Sequence, residues 1–233
     1  TGVPERVGER GQPTQIDVVF TIYRERRLYG VIGIEVKLSE KEFGPCRGWT
    51  GVRDGLPLNP AKERCLDGRR VFESPEEQCF MAEREGRKYW SSMTMPDASF
   101  DPARLAAQDC CPFRHGLYQM MRNRVTLDVL RSISGAEWCD FVVCMHPANA
   151  EVRRLAEPVE GEPRAVDAFR SLLRPGGMLE WDACEVVDAI LDVDGADIAW
   201  AEWMRGKYVL GAHAVPHAGR AAGLRVATAT IHE

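Results

Sequence analysis

A mixed α/β fold, with a central β-sheet flanked by helices, is what these 233 residues predict, and three observations carry it. Residues 31 to 40, VIGIEVKLSE, alternate in the two-residue rhythm of a strand. Residues 14 to 23, TQIDVVFTIY, are a second β-rich run, joined to the first by the polar turn RERRL, so the two read as an antiparallel hairpin. Farther along, residues 117 to 133 carry apolar side chains at helical spacing, and CDFVVCMHP (139–147) is the continuous apolar run of a buried strand. The length suits one α/β domain, or one domain with an insertion, and 45% hydrophobic residues is ordinary for a globular chain.

Taken in order, residues 1–13 are rich in Gly, Pro and charge and read as a flexible lead-in to a domain spanning 14–210. The hairpin fills 14 to 39. Residues 40–114 read as a cysteine-containing irregular insertion, full of turn formers (FGPCRGW, RDGLPLNPAK, LDGRR), with one short helix predicted over 76 to 92. That stretch has too few periodic apolar residues to promise a core of its own. The helix at 117–133 sets Leu117, Met120, Met121, Val125, Leu127, Leu130 and Ile133 against a polar stripe of Gln119, Arg122, Asn123 and Thr126. Segments 164–174, 183–192 and 195–208 read as helices, with RPGG at 174–177 as a break, and 211–233 as a C-terminal tail.

The hairpin concentrates the chemistry. Centring it near Arg26 sets residue i opposite residue 52 minus i, so Val19 faces Gly33, Thr21 faces Val31 and Asp17 faces Glu35. Alternation sends Ile32, Ile34, Val36 and Leu38 into a core and leaves Gly33, Glu35 and Lys37 on the opposite face of a half-buried strand. The missing side chain at Gly33 leaves room there for a ligand. Directly opposed side chains lie about 5 Å apart at Cβ, so two carboxylates would repel and raise one pKa unless a cation sits between them. Mg²⁺ commonly takes one or two carboxylates plus waters. Asp17, Glu35 and Lys37 thus read as a metal site with an amine beside it; the plainer reading is a solvated strand face.

Asp17 followed by Glu35-Val36-Lys37 on a hairpin resembles the PD-(D/E)XK (restriction-endonuclease-like) nuclease superfamily. The longer words EVKLSEKEFG, CF…GRKYW and CPFRHGLYQMMRN resemble a group of bacterial cysteine-containing members, over roughly residues 14 to 190. The resemblance implies a restriction-endonuclease-like core and Mg²⁺- or Mn²⁺-dependent hydrolysis of a phosphodiester, with DNA as the polymer. Asp17, Glu35 and the Val36 carbonyl would hold the metal, and Lys37 would orient water or stabilise charge. It also implies a helix ahead of the Asp strand; sixteen residues precede Asp17 here. Gln119 is similar to a glutamine that RecB-like nucleases carry on a helix beside the catalytic strands, which adds it to the catalytic set.

The chain has eight cysteines. Cys139, Cys144 and Cys184 belong to apolar segments and suit packing. Cys46, Cys65, Cys79 and one of the pair Cys110/Cys111, with Cys111 favoured, fall in the turn-rich insertion, where a metal staple would account for its order. Four thiolates suit Zn²⁺ or a [4Fe–4S] cluster, although no C-x-x-C is present. The resemblance extends to the idea of RecB-like nucleases with a cysteine-held [4Fe–4S] cluster, and Pro112 after Cys111 is similar to the Cys-Pro of ferredoxin motifs.

The net charge of −5 gives no global basic signature, and residues 41 to 88 hold ten Lys and Arg against nine Asp and Glu. No apolar run has the length of a membrane span and no signal peptide is visible, so the compartment reads as cytoplasmic. Oligomeric state is left open. The alternative from another class is a non-catalytic nucleic-acid- or protein-binding module stapled by a cysteine-bound metal.

Overall fold

A computed structural model of the chain describes residues 15–159, 161–193 and 198–208. The lead-in expected at 1–13 and the tail expected at 211–233 lie outside these residues. Strands β1 (Val18–Arg24) and β2 (Arg27–Lys37) form the antiparallel hairpin. Val19 pairs with Gly33 and Thr21 with Val31, the register that alternation predicts. Glu25 and Arg26 make the turn, both with positive φ (51° and 64°), the left-handed pair that a tight two-residue hairpin turn of type I′ requires. A bulge between Ile22 and Tyr23 shifts the pairing by one residue before the turn.

Short elements follow: α1 (Arg47–Thr50), a small hairpin of β3 (Val52–Arg53) and β4 (Leu56–Pro57), and a 3₁₀ turn at Lys62–Leu66. After them come α2 (Gly68–Glu73), α3 (Pro75–Gln78), α4 (Phe80–Glu83), α5 (Tyr89–Met93) and α6 (Pro102–Ala106). The single helix predicted over 76–92 is therefore three short ones. The long helix α7 (Tyr118–Ser134) ends on Gly135 in the left-handed conformation (φ 69°), whose N–H donates to the Arg131 carbonyl. Next are β5 (Trp138–Met145), α8 (Ala150–Arg153), β6 (Arg154–Val159), β7 (Glu162–Arg164), α9 (Ala165–Ser171), β8 (Leu179–Asp182), α10 (Ala183–Leu191) and α11 (Ile198–Tyr208). The central four-stranded sheet runs β1-β2-β5-β8, antiparallel at β1/β2 and parallel at β2/β5 and β5/β8. This mixed sheet flanked by helices is consistent with a restriction-endonuclease-like core. Among the described residues, no helix is long and apolar enough to cross a membrane.

The sheet is covered on both sides. Ile34, Val142 and Cys144 meet Ala183, Val187 and Ala201 from α10 and α11, with Ile32, Val36 and Leu38 partly buried against them. On the other side, Val31, Phe141, Val143 and Met145 join α7 and the short helices in the larger cluster. The half-buried β2 of the sequence reading is thus corrected: α7 roofs its second face. Segment 40–114 is corrected too, because it does not lack core residues. Phe43, Val71, Met81, Tyr89, Trp90, Met93, Phe100, Leu105 and Phe113 all enter the larger cluster. Its aromatics pack in a chain, Trp90 tilted against Phe113, then Phe113 edge-on to Phe100 and Phe100 edge-on to Phe169. Their irregular sequence spacing, across short helices with different axes, hides this from periodicity.

Candidate active site

Glu35 and Lys37 share the α7-facing side of β2, as alternation predicts, but both are buried, at 1% and 6% exposure. Lys37 Nζ sits 2.8 Å from Glu35 Oε1. Two amides from α7 complete the shell of the carboxylate: Gln119 Nε2 donates to Oε1 at 2.5 Å, and Asn123 Nδ2 donates to Oε2 at 2.7 Å. Gln119 and Asn123 are one turn apart, so both lie over the same stretch of strand. The Gly44 N–H donates to Gln119 Oε1 at 3.0 Å, which fixes the orientation of that amide and leaves its Nε2 to meet Glu35. Burial pushes the Glu35 carboxyl above its usual range; Lys37 pulls it back down, and the charge of Asp17 pushes it up again. A negative group inside Coulombic reach of a buried carboxylate is the condition that a cation between them relieves.

Asp17 lies just ahead of β1 and is exposed. Its Oδ2 accepts the Val36 N–H at 2.8 Å, which ties the carboxylate to the middle of the Glu35-Val36-Lys37 word. The structure therefore brings Asp17, Glu35, Val36, Lys37 and Gln119 together. Asn123 belongs to the same constellation; its spacing of four from Gln119 was the available signal. Leu127, one turn further on, fills the place above Gly33, where an added Cβ would lie 2.8 Å from both Leu127 Cδ atoms. The room expected there for a ligand is thus corrected: the glycine admits a helix. The rest of the polar stripe divides. Thr126 is buried, and the Arg122 guanidinium lies over the Tyr118 ring.

On the same helix, Arg124 and Asp128 form a buried pair at 2.7 Å. Asp128 also accepts Ser99 N–H and Oγ–H at 3.0 and 2.8 Å, and Arg124 donates to the Cys139 and Gly177 carbonyls at 3.3 Å. The network ties α7 to the neighbouring loops and to β5, and the i, i+4 spacing of Arg124 and Asp128 is its trace in the sequence.

All eight cysteines lie among the described residues, and none forms a disulfide. Cys139 packs beside the Arg124–Asp128 pair, and Cys144 and Cys184 pack on the α10 side of the sheet. Cys46, Cys65, Cys79 and Cys111 all reach the larger core, Cys79 as a partly buried member. Burial pushes the Cys46 thiol up to about 12 and the Cys65 thiol to about 11, and raises Cys111 well above the usual range. Among the described residues, no group of three or more His, Cys, Asp or Glu side chains is arranged to hold a metal ion.

A family model described as "Restriction Endonuclease associating with ARP" matches residues 3–205. No curated protein and no solved structure gives a significant match. The family match takes in both strands of the hairpin, the short helices, α7 and the remaining strands of the central sheet. With the buried Glu35–Lys37 pair set under α7 and the match running over most of the sequence, the chain belongs to the restriction-endonuclease family described as associating with ARP.

Proposed function

We propose that the chain is a metal-dependent nuclease of PD-(D/E)XK type that hydrolyses phosphodiester bonds in DNA. The observation that carries this reading is the Asp17, Glu35, Lys37 constellation. A buried carboxylate and amine stand 2.8 Å apart on one strand, with an exposed carboxylate latched to the strand between them. The donor set fits a hard divalent cation: Asp17, Glu35 and the Val36 carbonyl are all oxygen donors, and the charge of Asp17 reaches the Glu35 carboxyl. These three would hold Mg²⁺ or Mn²⁺. Such an ion, when bound, supplies a more acidic water and polarises a phosphoryl oxygen.

The chain's own residues do the rest. Gln119 and Asn123 hold Glu35 in one orientation, so its carboxylate does not rotate away from the site. Lys37 is held against Glu35 at 2.8 Å, while its remaining N–H groups orient the attacking water or meet the charge that develops on the phosphate. The exposed Asp17 marks the open side, where a polymer substrate can approach. The family description supports an endonuclease and supports DNA as the substrate.

The test is cleavage of supercoiled plasmid DNA by the full chain. Nicking that requires Mg²⁺ or Mn²⁺ and stops with chelator is the expected result. DNA retardation without cleavage in every divalent cation would instead assign a non-catalytic binding module.

A further inference from the structure

One row of side chains crosses the sheet on its α7 side. Glu35 is in register with Val143, and Val143 with Glu180. Register partners in neighbouring strands share a face, so Glu180 stands on the same face as the Glu35–Lys37 pair. Two strand spacings separate them, about 10 Å in all. Strands β2, β5 and β8 run parallel here, and the crevice outside the carboxyl ends of such strands is where open α/β sheets receive ligands. Strand β8 is the outer strand at this edge, and a cavity of about 480 Å³ lies along it. That is the size of a small-ligand site. Its charged walls are Arg153 from α8, Arg170 from α9, Glu180 and Asp182 from β8, and Glu185 from α10.

Three arginines converge on Glu180, and they are not equivalent. Arg164 donates to both carboxylate oxygens, at 3.1 and 3.3 Å. Arg153 and Arg170, the two that line the cavity, reach Glu180 only as long ion pairs, at 3.5 and 3.8 Å. Arg170 also donates to Asp167 at 2.8 Å. The Arg153 Nε is shut off from solvent and has no hydrogen-bond partner among the described residues. A guanidinium carries five N–H donors in a fixed fork. Glu180 is therefore held chiefly by Arg164, and the two arginines of the cavity keep donors for an incoming anion.

The carboxylates decide which anion fits. Asp182 caps α10, its Oδ1 accepting the Cys184 N–H at 2.7 Å. With Glu180 and Glu185 it sets three negative groups in the wall beside two positive ones. A doubly charged free phosphate or monoester is repelled there more strongly than a phosphodiester, which brings a single charge. The two unesterified oxygens of a diester also match the guanidinium fork.

We infer that Arg153 and Arg170 form a subsite for a backbone phosphate of the nucleic-acid strand. The inference rests on the DNA-binding part of the function proposed above. A strand crossing from β8 to β2 covers the interval in about three nucleotides, at about 3.4 Å of rise for each. The phosphate held by these arginines is thus remote from the bond that breaks. Arg153 and Arg170 position the strand and take no part in the chemistry.

The experiment is binding of a labelled DNA duplex to the full chain, read by fluorescence anisotropy over a series of salt concentrations. Divalent cations are omitted so that the DNA stays intact. Arg153→Gln and Arg170→Gln should each weaken binding about tenfold and lower the slope of log affinity against log salt by about one. Glu180→Gln keeps an oxygen for Arg164 and removes the charge that competes with phosphate, so it should bind DNA more tightly than wild type. A network that serves only the fold predicts loss in all three variants. Arg205→Gln makes the same change of charge on α11, which packs on the other side of the sheet, and should leave the slope as in wild type. Thermal unfolding identifies a variant that fails to fold. Arg153→Lys, which retains the charge without the fork, then serves in its place and should keep the slope while losing affinity.

Unchanged slopes in both Arg→Gln variants, weaker binding by Glu180→Gln, or no DNA binding by the wild type would each overturn the inference. So would inorganic phosphate that raises the melting temperature of wild type but not of Arg153→Gln while the DNA slopes stay equal, which assigns the cavity to free phosphate. A chain that binds DNA with the arginine-dependent slope and does not cut it defeats the nuclease reading and leaves the subsite standing. One that cuts DNA with unchanged slopes does the reverse.

Discussion

Lys37 Nζ lies 2.8 Å from Glu35 Oε1, and both side chains are buried under α7. An amine and a carboxylate two residues apart on a strand are unremarkable on a solvated face. Beneath a helix, each is the condition for burying the other, because a lone ion in that place would lack its countercharge. Glu40 is the next carboxylate, 4.0 Å from the same amine and half exposed, too remote to replace Glu35.

The pair should therefore be coupled in stability. Glu35→Gln and Lys37→Met should each destabilise the fold by about 3 to 5 kcal/mol, the usual cost of removing one partner of a buried pair. The double variant should recover much of the loss. Urea denaturation of the four proteins measures this; additive losses would mean that the two charges do not interact.

Gly33 supplies a second prediction. Its neighbour is Leu127, with no vacancy between them. Gly33→Ala should cost about 1 to 3 kcal/mol by overpacking, and Leu127→Ala in the same chain should relieve part of that strain. An unchanged midpoint for Gly33→Ala would return the position to the sequence reading, an opening for ligand.

Asn123 is tested by metal rather than by stability alone. It donates to Glu35 Oε2 at 2.7 Å. Asn123→Ala should weaken Mn²⁺ binding about 10- to 100-fold, the range for groups that orient a metal ligand. Calorimetric titration of the variant and the wild type is the check, and equal affinities would remove Asn123 from the site.

The Arg124–Asp128 pair makes the opposite prediction. Asp128→Asn should destabilise by about 3 to 5 kcal/mol, because it weakens the hold on Arg124 and Ser99 together. At temperatures where the variant is folded, metal affinity should match the wild type. A selective loss of metal binding would place this network in the site.

Much of the site was legible because a hairpin is local. The polar turn and the strict alternation of β2 set the register, and Val19 to Gly33 and Thr21 to Val31 follow from those two facts. The cover over β2 was not legible. It depends on a helix some eighty residues later, and α7 does not look like a roof, because it hides Arg124, Asp128 and Asn123 among its apolar residues. Gln119 entered the candidate set through family resemblance; Asn123 stood on the same polar stripe, and its contact with Glu35 came from the packed structure. The same blindness to distant contacts made segment 40–114 look coreless. Its aromatics find their partners in α9 and in one another, beyond any window of periodicity.

Asp17 gives the most direct test of the central claim, that this hairpin is a metal-dependent nuclease site. It is exposed, so Asp17→Asn keeps the fold, and the amide oxygen can still accept the Val36 N–H while one formal charge leaves the site. The measurement is the Mg²⁺-dependent nicking rate of supercoiled plasmid by wild type and Asp17→Asn, each shown to be folded. The account predicts a wild-type rate that chelator abolishes, and a variant slower by more than about 10²-fold, beyond the loss typical of an outer-shell partner. Equal rates for the two proteins, or wild-type cleavage that persists in chelator, would contradict it.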